Sequence, residues 1–173
     1  MSSGGHYGEF KTGRRLAWLA AFALLAGLTA LFQMAQPGGG GQTEGVNEAG
    51  RAMVVIKQDP SGHYLAEGFI NGQPVMFLVD TGATDVALPE KMARAMGVQF
   101  GPEVRVMTAA GPVTAWRTRL NSVSVGNLSL TNVRATITRG GMTEVLLGMS
   151  FLKQFSIRQQ GEELIIESGS RPG

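Results

Sequence analysis

Apolar positions fall into one long block near the start of the chain and into many short blocks after it. The long block, LAWLAAFALLAGLTALF from Leu16 to Phe32, holds no charged residue. At about 1.5 Å per residue, this block and its weakly polar continuation QMAQ approach the roughly 30 Å hydrocarbon core of a bilayer. No polar face interrupts it, as one would in a helix packed on a soluble domain. A cleaved signal peptide would end in small residues, and Gln33 ahead of Ala35 fits that pattern poorly. Residues 16–35 are therefore expected to form a transmembrane helix that stays on the chain as a signal anchor.

The next stretch, QPGGGGQTEGVNEAG, is glycine-rich and polar, and Val46 is its one apolar side chain of any size. It offers too little surface to offset the entropy of ordering it, so residues 36–52 are expected to be a flexible linker.

From Met53 onward the period shortens. MVVIKQ and HYLAEGFI read as strands, NGQ as a hairpin turn, and PVMFLV as an apolar run too short for a helix. LPEKMARAMGV, with Pro89 near its start and Gly97 near its end, predicts a short helix. EVRVMT and VTAWRTRLNSVSV flank an AAGP turn, and LSL and NVRATIT follow a Gly-Asn turn. TEVLLGMSFLKQF predicts a strand, a glycine and a short helix, and SIRQQGEELIIES predicts two strands about a Gly-Glu turn. Short strands in this number, with one or two small helices, predict a compact, mostly-β domain over residues 53–168, followed by a tail at 169–173.

Charge adds orientation. Lys11, Arg14 and Arg15 precede the long apolar block, and no basic residue follows it until Arg51. Residues 1–15 are thus expected on the cytoplasmic side of the inner (cell) membrane, with the β domain periplasmic or otherwise extracytoplasmic. From Met53 onward 11 Lys or Arg stand against 10 Asp or Glu, so the β domain is nearly neutral and shows no nucleic-acid footprint.

The chain has no cysteine and only two histidines, His6 and His63, which removes disulfides, thiolate nucleophiles and His-rich metal sites. No metal and no cofactor are expected. His63, in SGHYLAEG, lacks a companion G-x-S-x-G elbow and reads as an exposed residue. Trp116 and the methionines, Met92, Met96, Met107, Met142 and Met149 among them, read as packing residues, and Arg117 and Arg119 as a solvated face.

Of the three aspartates, Asp59, Asp80 and Asp85, only Asp80 ends an apolar strand and precedes Thr-Gly, in MFLVDTGATD. A carboxylate there is costly to desolvate unless neighbours compensate or use it. Asp, Thr and Gly are all turn formers, so the tripeptide alone also describes a plain turn.

Taken together, LVDTGAT (78–84), TAAG (108–111) and LLGMSFL (146–152) resemble the retropepsin-like, single-lobed aspartic proteases, and most closely their bacterial membrane-anchored branch. The resemblance spans about residues 53–167. It implies a closed β-barrel and an aspartic endopeptidase in which Asp80 is the catalytic carboxylate. Thr81, Gly82, Ala83 and Thr84 would support the active-site loop. Met107, Thr108, Ala109, Ala110 and Gly111 would form a flap over a peptide or protein substrate. Leu146, Leu147 and Gly148 would pack beside the loop as structural support.

Such chemistry needs two carboxylates, and this chain has one D-T-G. Asp85 lies in the same turn and Asp59 lacks the loop, so a second copy must supply the other Asp80. A homodimer is expected, with membrane attachment through residues 16–32 concentrating the copies. The alternative is a catalytically silent domain of the same fold that binds peptides or scaffolds an envelope complex.

Overall fold

A computed structural model describes residues 41–108, 111–140 and 142–169. The expected transmembrane helix lies outside them. Among the described residues, no helix is long and apolar enough to cross a membrane.

The strands in chain order are β1 (Gln42–Val46), β2 (Ala52–Lys57), β3 (Leu65–Ile70), β4 (Gln73–Val79) and β5 (Val86–Pro89). Helix α1 (Glu90–Ala95) leads to β6 (Glu103–Thr108), β7 (Gly111–Val125), β8 (Leu128–Thr138) and β9 (Val145–Leu147). Helix α2 (Met149–Leu152) then precedes β10 (Phe155–Gln160) and β11 (Glu163–Ser168). The mostly-β expectation holds over this region.

One sheet runs β3-β4-β9-β5-β8-β7 and closes where β3 pairs again with β7, giving a six-stranded barrel; β6 hangs from β7 outside that closure. The alternation in β3 shows why the chain closes this way. Ala66, Gly68 and Ile70 are buried while Glu67 and Phe69 are exposed. A period of two places one face inside. At the predicted NG turn, Asn71 and Gly72 both have positive φ, and Ile70 pairs with Gln73 across it.

Two neighbouring strands change their buried parity together. Burial passes from Leu120 to Val123 on β7 and from Leu128 to Val133 on β8, with Asn132 at φ 56° between the two halves of β8. The flanking pairs, Leu120 with Val133 and Ser122 with Thr131, keep one register. LSL and NVRATIT, read as separate strands, are therefore one strand with a local kink. Phe77, Leu88, Leu120, Ile137, Leu147 and Phe151 fill the interior without measurable exposure.

A second sheet, ordered β1-β2-β11-β10, lies outside the barrel closure. It corrects the expectation of a flexible linker from Gln42 onward; residues 36–40 of that expected linker lie outside the described residues. Gln42–Val46 pairs antiparallel with Ala52–Ile56. Few apolar contacts hold β1, so composition concealed it. The side chain of Gln42 bonds both ways with the backbone of Glu67, donating at 3.2 Å and accepting at 2.8 Å. Asn127 donates to the Gly45 carbonyl at 2.8 Å.

The predicted helix is also shorter than LPEKMARAMGV. Val86–Pro89 is a fully buried strand, and Pro89, with φ −59° and ψ 138°, is extended backbone just ahead of α1. Proline's fixed φ suits either role, and the parallel ladder of β5 with β8 decides for strand.

Candidate active site

Asp80 follows the last residue of β4, and the loop it opens is held from behind by β9. These strands pair in parallel, Phe77 with Val145, Leu78 with Leu146 and Val79 with Leu147. The ladder continues one step as the Asp80 amide donates to the Leu147 carbonyl at 3.2 Å. The loop then folds on itself, with Ala83 N–H donating to the Asp80 carbonyl at 3.2 Å. Gly82 N–H donates to the Asp80 carboxylate, at Oδ1, at 2.8 Å.

Gly82 does not occupy the left-handed region. Its value lies in proximity, since a Cβ there would sit 3.1 Å from Asp80 Oδ1. The carboxylate is half-buried, whereas Thr81, Gly82 and Thr84 are exposed and Ala83 is half-buried.

Leu147 and Gly148 are buried and Leu146 is half-buried. Met149 N–H donates to the Ala83 carbonyl at 2.8 Å, which closes a second strap across the loop. Gly148 lies against the carbonyls of Asp85 and Ala83 so closely that a Cβ would overlap backbone atoms. The structure thus brings 80–84 and 146–148 together.

The hairpin of β6 and β7 projects from the barrel, Met107 opposite Pro112 and Thr108 opposite Gly111. Met107 is 80% exposed, unlike the packing residue expected, while Met92, Met96 and Met149 do pack against the core. Ala109 and Ala110, expected at the hairpin tip, lie outside the described residues. Trp116 packs as expected, meeting Phe100 edge-on with ring centroids 5.2 Å apart. His63 is exposed and donates its backbone N–H to Asp59 Oδ1 at 2.8 Å, one residue before Tyr64, whose carbonyl accepts from Val79 N–H at 3.0 Å.

Sequence reasoning passed over Ser150 and the Asp85–Arg134 pair. Ser150 Oγ accepts from Val86 N–H at 3.0 Å and donates to the Arg134 carbonyl at 2.8 Å, joining α2, β5 and β8 behind the loop. Its place inside LLGMSFL was the available signal. Removing that hydroxyl strands one amide and one carbonyl, so Ser150→Ala is expected to cost about 1–3 kcal/mol. Urea unfolding followed by circular dichroism would read this as a lower midpoint at unchanged slope.

Asp85 is 22% exposed at its side chain and lies 3.1 Å from Arg134 Nη2, an ion pair without hydrogen-bond alignment. It serves β8 rather than Asp80. Among the described residues, no group of three His, Cys, Asp or Glu side chains converges in a way that could hold a metal ion.

Comparison with known proteins places these features in context. A family model described as "gag-polyprotein putative aspartyl protease" matches residues 66–154, a span that includes both Asp80 and 146–148. An uncharacterized protein from the cobV 5′ region of a Sinorhizobium species is 33% identical over 114 residues, 64% of this chain and 49% of that protein. An uncharacterized protein of Rickettsia prowazekii (strain Madrid E) is 30% identical over 116 residues, 65% of this chain and 50% of its own length. The chain spans about half the length of these curated relatives. The crystal structure of a retropepsin-like aspartic protease from Rickettsia conorii superposes with a TM-score of 0.58 at 27% identity, covering 75% of this chain and 94% of that one.

Proposed function

Since the chain belongs to the gag-type aspartyl protease family and has a retropepsin-like fold, we propose that it is an aspartic endopeptidase whose active site is completed by a second copy of itself. The observation that carries this reading is the Asp80 loop. One carboxylate is fixed by the Gly82 amide and braced from behind by Leu147 and Gly148, with its outer side open.

In a C2 dimer, two such loops would meet on the axis. Two carboxylates brought within about 3 Å of each other there would share one proton, the established behaviour of aspartic-protease pairs. The ionised member takes a proton from water as the water oxygen attacks the scissile carbonyl carbon, and the neutral member gives its proton to the carbonyl oxygen. Collapse of the tetrahedral diol breaks the C–N bond and returns a proton to the leaving amine. The β6–β7 hairpin would close as a flap, and the exposed Met107 would then lie over the peptide.

The remaining expectations complete the proposal. Residues 16–32 anchor the protease as a single-pass protein of the inner membrane, with its domain extracytoplasmic and copies concentrated in one layer.

The test is hydrolysis of a peptide library by the full chain from acid to neutral pH, repeated over a hundredfold range of chain concentration. Specific activity is expected to rise with concentration until the dimer saturates. Cleavage of no peptide at any concentration would sink the proposal, and a specific activity independent of dilution into a demonstrably monomeric range would remove its dimeric half.

A further inference from the structure

Beside the Asp80 loop lies a cleft of about 720 Å³ that the reaction itself does not use. Thr84 and Asp85 of the loop line it, together with residues 99–102. Its floor is the β7–β8 ladder, where Arg119 stands directly across from Arg134 and Arg117 lies two positions along the same face. Like charges placed opposite one another across two strands repel.

Only part of this charge is compensated. Arg134 pairs with Asp85 at 3.1 Å, and Arg119 Nη1 donates to the Asn132 carbonyl at 3.1 Å and to its Oδ1 at 3.2 Å. Neither of those Asn132 oxygens carries a full charge. No hydrogen bond or ion pair of the Arg117 guanidinium is found among the described residues, and its side chain is exposed at the cleft. Three guanidinium groups thus face one carboxylate. The volume is that of a site for a small ligand or a few peptide side chains.

We propose that this cleft is a subsite for an acidic side chain of the substrate, with Arg117 and Arg119 as specificity-determining residues. The inference rests on the protease reading. Thr84 belongs to the loop that carries Asp80 and also lines the cleft, so the cleft lies within reach of a peptide laid across Asp80. A glutamate or aspartate arriving there meets planar, always-charged donors suited to bidentate binding of a carboxylate. Phe100, whose ring has the Arg94 guanidinium over one face at 4.6 Å, also lines the cleft and adds apolar surface for the methylene stem. Acid recognition then lies at a position flanking the scissile bond, not at the bond itself.

The experiment uses the full chain and peptides that carry Glu, Gln or Lys at each flanking position in turn. At one such position Glu is expected to exceed Gln by about tenfold in kcat/KM, a ratio equivalent to about 1.4 kcal/mol. In Arg117→Gln and Arg119→Gln that ratio falls toward one. In Arg117→Glu the preference turns toward Lys, an outcome that general damage to the fold would not produce. Equal turnover of Glu and Gln peptides by the unsubstituted chain at every position would overturn the subsite. If no peptide is hydrolysed the protease reading fails by itself, and anisotropy of labelled Glu and Gln peptides on the Asp80→Asn chain then decides the cleft. Tighter binding of the Glu peptide upholds it, and equal binding ends it.

Discussion

Asp80→Asn is expected to abolish peptide hydrolysis, lowering kcat by about 10³-fold or more, while leaving the thermal midpoint and the dimer in place. Asparagine keeps the shape of the side chain, and its amide oxygen can still accept from Gly82 N–H, which now binds Oδ1 at 2.8 Å. What it removes is the ability to take and give a proton, a contribution of about 10²–10⁴-fold in general acid–base catalysis. The more searching form of the experiment mixes the two chains. If each active site needs one Asp80 from each copy, an equimolar mixture at equilibrium retains about one quarter of the activity, since half the dimers are mixed and inactive. A chain that worked alone would retain half. Measuring residual activity against the fraction of variant thus separates a shared site from a private one, and a straight line would reject the shared site.

Gly148→Ala is expected to be among the most damaging single-methyl changes in the domain. The backbone at Gly148, φ −91° and ψ −176°, is open to any residue, so the demand is wholly one of space. An added Cβ would overlap the carbonyl oxygen of Asp85 and sit 2.8 Å from that of Ala83. Both atoms are backbone, and both belong to the loop that carries Asp80, so neither can rotate away as a side-chain tip would. The methyl must push β9 from β4 or lift the loop, at a cost of about 3–5 kcal/mol, above the usual range for overpacking because main chain must move. Loss of that size lowers the thermal midpoint by well over 10 °C for a domain near 100 residues. Calorimetry would measure it, and a midpoint within 2–3 °C of the original would show that the loop yields easily and that the contact with 146–148 is not what fixes Asp80.

The features that proved legible in the sequence share a cause. β4 ends in an acid because its apolar run reaches the barrel rim, and an apolar run followed by Asp-Thr-Gly is visible without any structure. The LLG element is visible for the same reason, a buried strand that stops at a residue without a side chain. β1 was hidden because it is held by Gln42, Asn127 and backbone pairing rather than by apolar burial, and polar strands on a sheet edge leave no periodic trace. Pro89 misled because a proline that closes a strand and one that opens a helix have the same φ. The basic cleft was hidden for a third reason. Arg117 and Arg119 alternate like any solvated face, and only the register that sets Arg119 against Arg134 shows three cations gathered on one surface.

The strap between Asp80 and Leu147 has a consequence during synthesis. The amide and the carbonyl that it joins are separated by more than a third of the chain, with β5 to β8 made in between. Pairings this distant in sequence form late, after the loop-closure entropy of everything between has been met. A nascent or truncated chain therefore carries its aspartate on an unbraced loop. Under the proposed function, cleavage would therefore arise only once nearly all of the barrel has left the ribosome, and unfinished copies would be harmless to their neighbours without any separate inhibitor.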